Sequence, residues 1–336
     1  MSRALYLAEL RAHIYNKKEL FLRGQNRIVR SLIRSYYERA ELYLPFDMEL
    51  REFAFQPLSG GSYVRHLSFQ TAQELREVLL REVPGHVFYS SAKYQRPSAR
   101  DMEEKGWMGS DLQFDLDADH LCEPRKITFC PVCGKEVMGE RCPDHDVEAR
   151  EYVEIPLDCL RKTWDQAVLL SRILKEDFDL SPRIFFSGNR GFHVLVECSG
   201  DCALMDSDDR KEIVRYVMRD QVPFRGVEGD PGWAGRQEGG VSVDEQVTVD
   251  VHRLVRIPGS IHGKSSLLVK EMNDFLYDIS LSPFSGKAVL LPFITGDFLL
   301  VDRQFHLNKG EPVSMEAGYA VFAYLKGLGE VTYYVR

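Results

Sequence analysis

The sequence predicts a mixed α/β fold of the α+β kind, a mixed sheet flanked by helices, with a small metal-binding module inserted in it. Three observations predict it. Strand-like alternation and amphipathic helical spacing interleave along the chain, with no internal repeat. The 336 residues are 44% hydrophobic and 28% charged, the balance of an ordinary globular protein. Four of the seven cysteines fall between positions 122 and 142, which fits a metal site in a reducing compartment better than a disulfide framework. The organisation read from these features is one domain over 1–336, interrupted by a cysteine insertion at 122–147 and a helical and loop insertion at 199–240.

The elements follow in order. Residues 1–44 read as two helices, the second over 25–44 and stopped by Pro45. Residues 51–55 and 63–69 alternate around Ser59-Gly-Gly-Ser62, the pattern of a hairpin. A helix over 71–82 has Thr71 as its cap and Glu74 three residues on. Strands are expected at 86–90 and 112–118, then a helix over 158–178 with Ala167, Leu170, Ile173 and Leu174 on one face. Residues 183–186 and 192–197 form a second hairpin, and 208–220 a helix. A Gly-rich acidic loop with Trp233 covers 226–240, and strands are expected at 247–257 and 265–270. The N-terminus lacks the layout of a signal peptide. The longest apolar stretch, 289–301, is broken by Pro292, Gly296 and Asp297, so a cytoplasmic protein with no membrane partner is expected.

Charge is concentrated. Residues 101–150 hold thirteen acids against six Lys/Arg and so carry −7 of the net −8. A neutral body with one acidic spot attracts cations to that spot, although a solvated acidic loop has the same composition. Residue order separates the two. Phe114-Asp-Leu-Asp-Ala118 alternates, and on a strand Asp115 and Asp117 share a face, roughly 7 Å apart. Paired carboxylates resist ionising together unless a divalent cation supplies the compensating charge. Asp119 continues the same face. Taken alone, an Asp-x-Asp is a weak signal that a solvent-facing strand also produces.

Cationic candidates lie further on. In Ser187-Gly-Asn-Arg-Gly-Phe-His193 two glycines surround a polar turn that exposes backbone N–H groups, and Arg190 adds a fork that matches phosphate oxygens. Residues 251–270 hold four Lys/Arg and no acid. Within them, 259–265 falls one residue short of a P-loop and runs into a strand pattern, which rules that motif out. A polar cradle for a triphosphate without that geometry survives.

Cys130-Pro-Val-Cys133 and Cys142-Pro-Asp-His145 form two knuckles whose paired ligands suit a closed, structural, tetrahedral zinc site. Cys122 is an alternative ligand to Cys142 or His145, and His120 a weaker one. Cys159, Cys198 and Cys202 read as buried thiols.

Together, Asp115-Leu-Asp117, the turn 187–193 and the stretch from Asp244 to Lys264 resemble the archaeo-eukaryotic primase family, and within it the archaeal-type catalytic small subunits. Arg51-Glu-Phe-Ala-Phe55, Tyr63-Val-Arg65, Tyr89-Ser-Ser-Ala92 with Arg96-Pro97, and Lys175-Glu-Asp-Phe178 match in order, and the knuckle directly after the Asp pair is similar too. The resemblance covers most of the sequence. It implies a nucleotidyltransferase, a DNA-directed RNA polymerase that makes short RNA or DNA primers on single-stranded DNA from nucleoside triphosphates. Two Mg²⁺ or Mn²⁺ ions would be held by Asp115, Asp117 and Asp244, the last preferred over Asp250 for its distance to the later histidine. Ser187, Arg190 and His193 match the triphosphate-binding turn, Arg256, Ser260, His262 and Lys264 the second phosphate-contacting segment, and Arg65 a further contact. Asn189 stands where some members carry a basic residue. A primase large subunit is the implied partner. The rival readings are a repair polymerase or primase-polymerase of the same superfamily, and a non-catalytic zinc-ribbon scaffold of a replication complex.

Overall fold

The computed structural model describes residues 26–218 and 240–336. Helix Arg27–Tyr37 opens at Asn26, whose side-chain oxygen accepts from the Val29 amide. It stops well short of position 44. The Arg76 guanidinium donates to the Tyr37, Glu38 and Ala40 carbonyls at 2.8, 3.0 and 3.0 Å, which satisfies the helix end without further turns. The expected helix before position 25, and the loop 226–240 apart from Gly240, lie outside the described residues.

β1 (Arg51–Pro57) pairs antiparallel with β2 (Val64–Leu67) and β3 (Pro84–Tyr94), so the hairpin forms as expected. Between them, helix Ala72–Glu82 is capped by Thr71, which accepts from the Glu74 amide. The Glu74 carboxylate takes the Gln70 amide, one residue ahead of the position a capping box requires. β4 (Trp107–Ser110) joins β3. β5 (Leu112–Asp117) belongs to a second sheet. β6 (Arg125–Phe129) and β7 (Arg150–Glu154) are the stem of the cysteine insertion.

Helix Leu157–Phe178 follows, then β8 (Pro182–Phe186) and β9 (Gly191–Val196). β5 pairs with β9, and β9 with β8, all antiparallel. Helices Asp201–Leu204 and Ser207–Val217 precede the second undescribed segment. The expected strand over 247–257 is overturned in its first half. Asp244 caps a short helix, Glu245–Val249, by accepting from the Gln246 amide, and only β10 (Leu254–Arg256) is extended. The polar cap outweighs the β-branched run. The expected strand over 265–270 is likewise mostly a turn. The Ser265 and Ser266 amides both donate to the His262 carbonyl, Ser266 has φ +65°, and β11 (Lys270–Glu271) alone joins β8.

The C-terminal part holds β12 (Lys287–Pro292), β13 (Gly296–Leu300), β14 (Arg303–Leu307), β15 (Val313–Glu316), helix Ala317–Leu325 and β16 (Gly329–Val335). β12 is the centre of a three-stranded sheet between β15 and β16. Helix Ala317–Leu325 is buried on every side, and one continuous apolar core runs from Val29 through β5 and β9 to Val331. Among the described residues no helix is long and apolar enough to cross a membrane.

Two pairs of cysteines depart from their sequence reading. Cys122 is bonded to Cys159 and Cys198 to Cys202. Cys122 is thereby removed as a metal ligand, and Cys159, Cys198 and Cys202 are not plain thiols. The residue separations of 37 and 4 carried no signal of pairing, because folding brings the first pair together and a sharp turn the second.

Candidate active site

β5 builds the floor. Phe114 and Leu116 point into the core and are fully buried, so the alternation leaves Asp115 and Asp117 on the opposite, partly open face. In the antiparallel register Asp115 lies opposite His193 and Asp117 opposite Gly191. A Cβ on Gly191 would sit 2.2 Å from the Leu116 carbonyl oxygen, so this closeness of the two strands requires glycine. Asp244, far along the sequence, is joined to the same strand: its amide donates to the Asp115 carbonyl at 3.0 Å. An acid distant in sequence is thereby brought beside the Asp115–Asp117 pair.

Their electrostatics are strained by burial. Desolvation raises the Asp115 carboxyl to about 6, with Asp244 pushing the same way and Arg256 and Arg253 opposing. Asp117 is likewise raised to about 6, first by desolvation and then by Asp115, against Arg190 and His193. His193 Nε2 lies 3.2 Å from Asp115 Oδ1. Burial, then Arg256, holds this imidazole down to about 3, so it is neutral beside the carboxylate. The approach is not aligned as a hydrogen bond, and Asp115 Oδ1 and Asp119 Oδ1 are both buried without a donor. Such oxygens are a demand that a divalent cation satisfies.

Around the acids stand cations. Arg190 pairs with Asp119 at 3.1 Å, and its carbonyl accepts from the Ala118 amide. Asn189 Oδ1 accepts from Lys326 Nζ at 2.7 Å, which ties the 187–193 turn to the C-terminal helix. Ser187 is buried, its amide donating to the Gly191 carbonyl. Gly188 has φ +87°, and a Cβ there would lie 2.7 Å from His262 Cβ, so the turn packs directly on the 257–269 loop. Arg256, at the end of β10, donates to His86 Nδ1 at 2.6 Å. The Ser260 hydroxyl is spent on the Ile257 carbonyl at 2.6 Å, His262 stands edge-on to His86 at 4.5 Å, and Lys264 is exposed. Arg65 is engaged elsewhere: it pairs with buried Glu52 at 2.9 Å, a carboxylate that Lys105 also reaches at 3.1 Å.

The sequence alone assigned no role to two groups, Arg253, which counted only within the cationic stretch, and His86. Arg253 acts on both Asp115 and His193. A continuous strand would put Arg253 and Arg256 on opposite faces, whereas the turn that brings the Arg253 amide to the Asp250 carbonyl lets both act on Asp115. His86 is a lone residue on β3, and nothing local marked it. Burial, then Arg256 and Lys264, takes its pKa down to about 2.

The cysteine insertion holds a second, separate cluster. The ligand atoms of Cys130, Cys133, Cys142 and His145 lie within 4.8 Å of one another. Cys130 Sγ and Cys142 Sγ are 3.8 and 3.5 Å from His145 Nδ1. Four donors about 2.3 Å from a common centre would stand about 3.8 Å apart, so the set fits a tetrahedral metal ion. The two knuckles are alike: the Gly134 amide donates to the Cys130 carbonyl and the Asp146 amide to the Cys142 carbonyl, both at 2.8 Å. The stem leans on the C-terminal part through Tyr152, whose hydroxyl donates to the Leu299 carbonyl at 2.7 Å.

Residues 286–335 match the PriS_C family model, which describes the C-terminal domain of a primase polypeptide. The DNA primase small subunit PriS of Saccharolobus islandicus is 53% identical over 322 residues, covering 93% of this sequence and 98% of that one. That of Saccharolobus solfataricus is 52% identical over the same shares. That of Hyperthermus butylicus is 34% identical, covering 90% and 96%. A solved polymerase domain of Mycobacterium tuberculosis ligase D in complex with DNA aligns with a TM-score of 0.39 at 12% identity, over 73% of this sequence and 80% of that one, too distant to carry weight. Half-identity along almost the full length of both sequences leaves one assignment: this chain belongs to the family of DNA primase small subunits.

Proposed function

We propose that the protein is the catalytic subunit of a DNA primase, condensing nucleoside triphosphates on a single-stranded DNA template. The observation that carries the reading is the meeting of Asp244 with the Asp115–Asp117 pair, with one donor-less carboxylate oxygen on Asp115 and another on neighbouring Asp119, beside Arg190, Arg253 and Arg256. Asp115, Asp117 and Asp244 would hold two Mg²⁺ or Mn²⁺ ions, which when bound activate the attacking hydroxyl and neutralise the leaving pyrophosphate. The protein supplies the rest. Arg190 and Arg256 place fixed positive charge where the triphosphate develops negative charge. Neutral His193 offers a hydrogen bond without adding charge, and exposed Lys264 extends the cradle outward. Ser260 and His262 shape the backbone of the cradle, because the Ser260 hydroxyl and His262 Nδ1 are committed to the chain itself, and buried Ser187 holds the turn through its amide. Arg65 acts on the placement of β2 through Glu52.

Zn²⁺ is the ion proposed for Cys130, Cys133, Cys142 and His145, since three thiolates and an imidazole in a closed tetrahedron suit it. One catalytic body, interrupted by this knuckle, and a heterodimer with a primase large subunit in the cytoplasm complete the proposal.

Incorporation of labelled nucleotides on single-stranded template tests it. The protein, alone or with a large subunit, is expected to join two free nucleotides, and Asp244→Asn to lose this. Obligatory extension of an existing end would instead make it a repair-type polymerase.

A further inference from the structure

Arg210 lies on helix Ser207–Val217, away from the carboxylates, and is only 1% exposed. A buried guanidinium carries five N–H groups that all need acceptors. Here Nε donates to the Met205 carbonyl at 3.3 Å, and Nη1 to the Asp111 and Thr248 carbonyls at 3.1 and 3.4 Å. Nη2 donates to the Ser110 carbonyl at 3.2 Å and the Ser110 hydroxyl at 3.1 Å. Every donor is used, and none goes to a carboxylate. Asp111 offers Arg210 only its carbonyl and gives its carboxylate to Arg51 at 2.8 Å.

The bonded segments are the ones that matter for the site. Ser110 and Asp111 lead into β5, which bears Asp115 and Asp117. Thr248 lies on helix Glu245–Val249, whose cap is Asp244. At the cap end this helix is joined to β5 by the Asp244 amide on the Asp115 carbonyl at 3.0 Å. At its other end Arg210 joins it to the start of the same strand, and the Ser207 hydroxyl adds a bond to the Val249 carbonyl at 3.1 Å. The Asp244 amide thus holds the cap end of the short helix against β5, and Arg210 ties its other end to the start of that strand.

We propose that Arg210 is a positioning residue that sets the spacing between Asp244 and the Asp115–Asp117 pair, and so tunes divalent-cation affinity. The claim about affinity rests on the metal-binding reading of the three acids; the claim about the clamp does not. Supporting groups of this kind change metal affinity on the order of tenfold or more when replaced.

The test uses Arg210→Lys and Arg210→Met in the full-length protein, with melting and circular dichroism to establish folding. Lysine keeps the charge and three donors, so it protects the experiment if methionine does not fold. Amide exchange over 244–249 in metal-free protein reads the clamp, and Mn²⁺ titration followed by electron paramagnetic resonance reads affinity. A folded variant should show faster exchange there, Mn²⁺ binding weakened about tenfold, and activity restored towards the parent's at high Mn²⁺. Unchanged exchange, or unchanged Mn²⁺ affinity with activity lost at every metal concentration, overturns the proposal. Asp244→Asn is the control: if it binds Mn²⁺ as the parent does, the metal reading falls, and the exchange result alone then decides the clamp.

Discussion

The two metal-compatible clusters of this protein are built in opposite ways. The cysteine knuckle takes its four ligands from sixteen consecutive positions, 130–145, with backbone turns shaping each pair. The carboxylate cluster joins the local pair Asp115 and Asp117 to Asp244, which only folding brings to it. In the knuckle the ligands themselves make the structure, because the insertion is too small for an independent core. At the carboxylates the structure comes first: the sheet of β5, a capped helix and the continuous core hold the acids in place despite their mutual repulsion. Removing ligands should therefore cost stability in one region and activity in the other.

The sharpest way to break this contrast is Asp115→Asn with Asp117→Asn. Nucleotide incorporation should fall by at least about a thousandfold, as the loss of metal-held charge stabilisation implies. Retained incorporation in a radiolabel assay would end the catalytic reading. The same variant should melt no lower than the parent when metal is stripped.

Cys142→Ser should do the reverse. It is expected to lower bound zinc by one equivalent and the melting temperature by several degrees, while a folded, template-bound fraction keeps incorporating nucleotides. Metal analysis beside calorimetry checks this, and full metal content in the variant would refute the ligand set.

The smallest effect is a pH dependence whose sign separates the groups. Asp115 and Asp117 are raised from 3.8 to about 6, so between those values the folded state binds more protons than the unfolded one. Their contribution is favourable below that window and is lost as pH rises through 6. Stripped of metal, the double Asn variant should thus gain in melting temperature over the parent at pH 8, and that gain should shrink towards pH 5. Buried His86, held at about 2, and His193, at about 3, act oppositely, because the unfolded state takes up protons below 6.5 that they refuse. The parent itself should lose stability on that account as pH falls from about 6.5. A gain that grows with acidification would contradict the assignment.

Legibility followed the same divide. The knuckles, the alternating β5, the 187–193 hairpin and the Thr71 cap could be read locally because each depends on residues within one or two turns of backbone. The strand over 247–257 misled because its β-branched residues have strand propensity, while the Asp244 cap and the clamp from Arg210 favour a helical turn. That error also hid the action of Arg253 on Asp115.

The sequence by itself determined which residues could ligate, which faces would be apolar and which turns would be tight, since these follow from covalent spacing and side-chain chemistry. Only tertiary structure decided that Asp244 reaches Asp115, that Arg65 belongs to Glu52, and that Cys122 bonds Cys159 instead of joining the knuckle. Such meetings depend on how separate sheets and helices dock, and docking is set by the summed burial of a whole core that no short pattern encodes.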